Sequence, residues 1–120
     1  MSANYVQVGN TLEYSNTGSA ISSGAVTIIG DLVGIAETDI AATSGVGTVC
    51  IEGVFEVACN TADLIIAGQT LVWDASASEF VDANTPAAGD NTGGVVAMAD
   101  AGSGVILVDV KLLPGSGVTT

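Results

Sequence analysis

One stretch of alternating residues, positions 48–57, constrains the fold more strongly than any other. Its odd positions are apolar or small, whereas Thr48, Glu52 and Glu56 lie on even positions. A repeat of two residues is typical of a β-strand with one buried face. We therefore predict a central strand here, or two strands bent at Gly53. The glutamates should face water or a partner protein, because a buried carboxylate without a partner is costly.

The remaining sequence predicts more short strands, separated by turns rich in Gly, Asn, Asp and Ser. These strands cover residues 25–29, 32–37, 69–74, 80–81, 94–99 and 104–113. Residues 60–66 contain a capped start for one or two helical turns. The fold class that follows is all-β, a small barrel or sandwich of about eight to ten short, mainly antiparallel strands with at most one short helix.

Core residues follow from the strand faces. On the last strand, one face carries Ile106, Val108, Val110 and Leu112. Apolar side chains on the alternating faces of strands pack inward in a one-domain chain of 120 residues, which is long enough to bury a core without disulfides or metals. We assign to the core Ile51, Phe55, Trp73 and Val108.

The N-terminal residues 1–23 carry one charged side chain, Glu13, and alternate in two short segments, 5–8 and 11–14. They form either an edge hairpin or an arm that leaves the domain, and arms bind neighbours by adding strands or filling grooves. A frayed terminus is the alternative. We place the β domain at residues 24–113 and a flexible tail at residues 114–120, because Pro114 ends the last strand.

Charge excludes several classes of partner. The chain has thirteen Asp and Glu residues and one basic residue, Lys111, so its formal net charge is −12. Binding to nucleic acid requires a face of Lys and Arg, so we expect neither DNA nor RNA as a partner. An anionic membrane is disfavoured for the same reason. An acidic surface keeps the protein soluble, or provides a docking face for a basic partner.

Targeting signals and cysteine chemistry point to a reducing compartment. We find no signal-peptide pattern and no apolar run of about 18 residues, so we expect synthesis in a cytoplasm and no membrane span. Cys50 and Cys59 would need a turn between them to form a disulfide. We expect two reduced residues that pack as small apolar side chains.

The residues needed for common catalytic chemistry are missing. The chain has no His, which removes Ser-His-Asp and Cys-His systems and most transition-metal sites. No Gly-x-x-x-x-Gly-Lys sequence is present to hold phosphate. The polar residues Asp82, Asn84, Asp90 and Asn91 lack the spacing of a calcium loop. We therefore predict no catalytic residue, no cofactor and no metal ion.

Six short motifs occur in the order found in one group of phage proteins. They are Asn-Tyr-Val-Gln at 4–7, Gly-Asp-Leu-Val-Gly-Ile-Ala at 30–36, Glu-Gly-Val-Phe-Glu at 52–56, Ala-Gly-Gln-Thr-Leu-Val-Trp-Asp at 67–74, Gly-Val-Val-Ala at 94–97 and Val-Asp-Val-Lys-Leu at 108–112. On these motifs the chain resembles the capsid cement, or head decoration, proteins of tailed phages. The resemblance covers residues 4–112.

The resemblance implies a β-rich structural protein on the outer face of the phage head, commonly a homotrimer over the junctions between capsomers. The implied partner is the major capsid protein, and the implied role is to hold the head together against packaged DNA. Our candidate anchor is the arm at residues 4–14. Its contact residues are Tyr5 and Tyr14, as apolar contacts, and Gln7 and Asn10, as hydrogen-bonding residues.

Two other functions compete with this interpretation. One is a phage fibre or adhesive module that binds host glycans. The other is a small carbohydrate-active hydrolase with two acidic residues, although the single Trp, two Tyr and two Phe provide few platforms for a sugar. Co-sedimentation with purified heads supports the first interpretation, whereas glycan binding or turnover supports the other two.

Overall fold

A computed structural model describes residues 3–4, 6–82 and 86–120. Within these ranges the chain forms ten short strands and no helix, which confirms the all-β prediction. The segment predicted as a helical start, residues 60–66, forms a turn and one bridge instead. The strands are β1 (Thr11–Ser15), β2 (Val26–Ile29), β3 (Leu32–Ala36), β4 (Val46–Cys50), β5 (Val54–Ala58), β6 (Thr70–Asp74), β7 (Glu79–Val81), β8 (Asn91–Ala97), β9 (Leu107–Leu112) and β10 (Val118–Thr119).

The strands form two antiparallel sheets. The first has the order β1-β4-β3-β2, and the second has the order β5-β9-β8-β6-β7 with β10 paired to β8. An isolated parallel bridge between Cys59 and Phe80 joins the end of β5 to β7. The second sheet therefore curls until its first and last strands meet at one point.

The alternating stretch at residues 48–57 supplies one strand to each sheet. Residues 48–50 form the last part of β4, the chain turns at Gly53, where φ is +118°, and residues 54–57 belong to β5. Val49 and Val57 are buried, whereas Glu52 and Glu56 are exposed. The prediction of two strands bent at Gly53 is confirmed, and the single central strand is wrong, because this backbone conformation favours glycine and redirects the chain.

The main core lies between the two sheets and includes Val108, which is buried. Phe55 and Trp73 are partly buried and pack against it, and Ile51 is half-buried in the link after β4. Ile106 is 63% exposed, so its predicted place on the buried face of the last strand is wrong. The strand β9 begins only at Leu107, because Gly104 donates its backbone N–H to the carbonyl of Thr61 (2.7 Å) and holds the preceding residues in a link. A smaller cluster contains Ala36, Ile40 and Val49.

The termini differ from their predicted forms. The strand β1 pairs with β4 over five residue pairs, so it is an edge strand of the first sheet. Residues 6–8 belong to no strand, and Tyr5 lies outside the described residues.

At the other terminus, where the sequence predicts a disordered tail, β10 pairs with β8, and Thr119 Oγ1 donates to the carbonyl of Gly30 (2.7 Å). The domain boundaries themselves stay a prediction.

We expect a methyl group at Gly34 to destabilise the fold. An added Cβ would overlap Cγ1 of Val49, which is fully buried, and would lie 3.1 Å from the carbonyl oxygen of Cys50. Overpacking of this kind costs about 1–3 kcal/mol, so Gly34→Ala should lower the midpoint of urea unfolding. Gly102→Ala is the matched control, because its Cβ would meet open space, and its free energy of unfolding should stay within about 0.5 kcal/mol of the wild type. Equal midpoints for the two variants would contradict the packing at Gly34.

Candidate functional site

The structure uses part of the predicted arm to build the domain. The Asn10 carbonyl accepts a hydrogen bond from the backbone N–H of Ile51 (3.0 Å), and Tyr14 packs against the smaller cluster. Gln7 is exposed and donates from Nε2 to the Thr11 carbonyl (2.8 Å). The described residues of the predicted arm that belong to no strand therefore end at position 10. Whether Tyr5, Gln7, Asn10 and Tyr14 contact another protein stays a prediction.

Two valines next to Gln7 are unusually exposed. Val6 is 88% exposed and Val8 is 81% exposed, although residues of this kind are usually buried. They alternate with Gln7 and would share one face of an extended strand. Residues 6–8 therefore have the pattern of a strand without a sheet.

Several exposed large apolar side chains lie at one end of the second sheet, where residues 60–68 run beside residues 98–107. Ile65 and Ala101 exchange two backbone hydrogen bonds of 2.9 Å each. Ile65 is buried, so its neighbours Leu64 and Ile66 point away from the core and are both exposed. Exposed large apolar residues of these two segments form what we call the apolar end: Leu64, Ile66, Met98, Val105, Ile106 and Leu107.

Carboxylates at this end fold the loops. Asp100 Oδ1 accepts the backbone N–H of Ala67 (2.8 Å), and Asp63 Oδ2 accepts the backbone N–H of Asp82 (2.9 Å). They fix the chain segments that carry the exposed apolar residues. Soluble monomers rarely expose extended apolar patches, and a patch with polar groups around it is typical of a protein-binding surface.

The sequence interpretation missed the apolar end, although a signal was present. Leu64, Ile65 and Ile66 are consecutive, as are residues 105–108, and consecutive side chains in an extended chain point to opposite faces. Some of these side chains therefore had to face outward. A helical start at residues 60–66, as the capped pattern predicts, would not alternate in this way, so that prediction hides the signal.

The two cysteines are free and carry no reactive thiolate. Cys50 Sγ donates to Glu37 Oε1 (2.7 Å), and this hydrogen bond together with burial raises the pKa of Cys50 to about 11. Cys59 is buried, and burial raises its pKa as well. Cys59 fits the predicted small apolar packing. Cys50 is only half-buried and has a polar partner instead.

The polar residues at the end of the loop before β8 form hydrogen bonds within the fold, whereas Asn84 lies outside the described residues. Asp90 is buried, with Oδ1 accepting the Ala75 N–H (3.0 Å) and Oδ2 accepting the Ala87 N–H (2.9 Å). Asn91 is also buried and already belongs to β8. Among the described residues, no group of three or more His, Cys, Asp or Glu side chains is arranged to hold a metal ion. In the same part of the chain we find no helix with the length and hydrophobicity of a membrane span.

Comparison with known protein families identifies a match over most of the chain. A family model described as phage cement protein matches residues 6–112, which is most of the chain and confirms the resemblance seen in the sequence. The search of curated proteins finds no relative that matches.

We expect the Cys50 thiol to react slowly with iodoacetamide at neutral pH, because a thiol with a pKa of about 11 is almost entirely protonated. Glu37→Gln removes the carboxylate that raises this pKa, so the alkylation rate of Cys50 should rise by roughly tenfold or more. Peptide mapping by mass spectrometry separates Cys50 from Cys59. Glu56→Gln, a change at an exposed carboxylate elsewhere, is the control and should leave the rate unchanged. An unchanged rate in Glu37→Gln would contradict the role of the Cys50–Glu37 hydrogen bond.

Proposed function

The chain belongs to the phage cement protein family, and we propose that it binds the outer face of the phage head at the junctions between capsomers. The family is one of structural components of the phage capsid and is not a class of enzymes. In this proposal the partner is the major capsid protein, and binding stabilises the head against the pressure of packaged DNA. The protein is made in the host cytoplasm and located on the virion.

The proposed mechanism is a clamp with several contacts. Packaged DNA pushes the capsid subunits outward, and a protein that bridges several of them must release all of them before they separate. Contacts that are modest individually then act together, because each bound contact raises the effective concentration of the next. A homotrimer would multiply the number of contacts again.

The apolar end supports this proposal and indicates which residues make the contact. It exposes Leu64 and Ile66 on one segment and Val105 and Ile106 on the other, and the two segments are held together by backbone hydrogen bonds such as those between Ile65 and Ala101. Rigid loops lose little conformational entropy on binding, which favours affinity. We assign this surface to contact with the capsid.

A second contact is the N-terminal segment before β1. Residues 1–12 contain none of the thirteen carboxylates of the chain, so this segment approaches other proteins without the repulsion that the rest of the surface creates. Gln7 and Asn10 are exposed and carry amide groups that can bond to a backbone. We propose that these residues, with Tyr5, bind a neighbouring subunit on the head.

We expect two aspartates at the apolar end to prevent binding to heads. Leu64→Asp together with Ile66→Asp changes two exposed side chains, so the fold should be retained, but charge in an apolar interface is costly to desolvate. The measurement is co-sedimentation with purified heads that lack the cement protein, and the affinity should fall by about tenfold or more. Val118→Asp is the control, since Val118 is equally exposed but pairs at the opposite end of β8. Wild-type binding by the double variant would exclude the apolar end as the contact.

Deletion of the N-terminal segment should also weaken decoration, provided that the deletion stops at residue 9. Removal of residues 1–14, which includes the whole candidate anchor, would remove most of β1 and uncover the cluster beneath Tyr14. Removal of residues 1–9 keeps the Asn10 carbonyl that bonds Ile51, so circular dichroism and the unfolding midpoint should match the wild type. The number of copies bound per head should fall at limiting protein concentration. If the variant without residues 1–9 bound to heads in the same number of copies as the wild type, the N-terminal segment would not be a contact with the head.

A further inference from the structure

A cleft of about 340 Å³ opens where the second sheet fails to close. The strands β5 and β7 are bridged at Cys59 and Phe80, and the cleft lies on the β5 side of that bridge. Its walls come from both sheets: Gly24, Ala25, Val26, Glu56, Val57, Ala58, Trp73, Ser78 and Leu107. The Trp73 ring is held in place by the Phe80 ring, with 4.9 Å between centroids and 59° between planes.

One wall of the cleft is an open strand edge. Leu112 donates its N–H to the Gly53 carbonyl, and Cys59 donates its N–H to the Ile106 carbonyl, so the odd-numbered residues of β5 bond to β9. In an antiparallel pair the intervening residues direct their N–H and C=O groups the other way. Glu56 therefore presents both backbone groups to the cleft. Among the described residues, the pairing of β7 with this edge is limited to the bridge at Cys59.

The same chain contains a segment that matches this edge. Residues 6–8 alternate as Val-Gln-Val, belong to no strand, and expose both valines by more than four-fifths of their area. An extended segment that adds to a sheet edge gains backbone hydrogen bonds, while alternate side chains fill a pocket. The valines would enter the cleft beside Trp73, and Gln7 would face away from it.

The charge of the cleft is compatible with this occupant. The cleft has Glu56 at its rim, and the protein carries thirteen carboxylates with one basic residue, so most surfaces of a second copy would be repelled. Residues 1–12 contain no carboxylate and no other charged side chain. This segment of a second copy can therefore lie along the cleft without an electrostatic penalty.

We propose that residues 6–8 of one copy add as a strand to the β5 edge of a second copy and place Val6 and Val8 in the cleft against Trp73. The contact joins two different surfaces, the N-terminal segment and the cleft, so it is head-to-tail. Head-to-tail contacts close into rings when the rotation permits, which agrees with the proposed trimer. The inference rests on the self-association in the proposed function, but it is tested without heads, so its failure leaves binding to the capsid standing.

Trp73 is the single tryptophan of the chain and lines the cleft, so its fluorescence reports occupancy. In the wild type, its emission should shift to shorter wavelength as protein concentration rises, together with an increase in mass by sedimentation velocity. The full-length variant Val6→Asp with Val8→Asp should show neither change, and it should unfold at the midpoint that the wild type has at concentrations where it is monomeric. A synthetic peptide of residues 3–10 should restore the shift in this variant and saturate, whereas a peptide with the same two aspartates should not.

Mixing two defective variants tests the head-to-tail arrangement. Ala58→Phe fills the cleft at an exposed position but keeps the N-terminal segment, and the variant with two aspartates keeps the cleft. Each should be monomeric alone, and an equal mixture should form one-to-one dimers. A wild type that stays monomeric, whether or not its emission is already shifted by its own segment, overturns the proposal. So does wild-type association by the variant with two aspartates, or a peptide that leaves Trp73 unchanged.

Discussion

The structure depends on the close approach of its two sheets, which is possible because glycine lies at the point of contact. Val33 of β3 reaches so near Gly94 of β8 that a Cβ on Gly94 would lie 2.6 Å from the valine Cγ2. Beside this contact, the amide of Asn91 is buried and donates from Nδ2 to the Asp31 carbonyl and to Thr119 Oγ1, both at 3.0 Å. These bonds join the turn between β2 and β3, the strand β8 and the C-terminal strand. An unpaired buried N–H would be costly, so these two donor bonds help to hold the turn, β8 and β10 together, although Oδ1 of Asn91 is buried without a hydrogen-bond partner in the described part of the chain.

In the described part of the chain, several carboxylates form hydrogen bonds within the protein. Asp90, Asp63 and Asp100 bond to backbone N–H groups of loops, and Glu37 bonds to Cys50. Such carboxylates maintain loop shape and raise a thiol pKa, and neither effect produces a reactive group. The fold also exposes apolar side chains, at the apolar end and on residues 6–8. A protein that exposes apolar side chains on rigid loops is suited to holding other proteins, in agreement with the cement family.

The two exposed apolar surfaces have different physical origins. The apolar end results from short loops in which one residue of each neighbouring pair must face outward, as Ile65 shows by taking the buried position between Leu64 and Ile66. The N-terminal valines result from a segment that precedes the first strand pair and has no sheet of its own. The open β5 edge exists because the second sheet curls but joins β7 only at Cys59. The apolar end, the N-terminal valines and the open β5 edge all occur where the pairing between strands ends.

The sequence by itself determined the class of fold, because alternation in residues 48–57 and the Gly-rich turns allow only short strands, and it determined the family through the order of its motifs. It also located the bend at Gly53. Only the tertiary structure decided that the halves of this stretch enter different sheets, that Ile106 faces outward, and that residues 118–119 pair with β8. The physical reason is that alternation reports which side of a strand is buried, whereas strand partners depend on contacts between residues that are far apart in the chain.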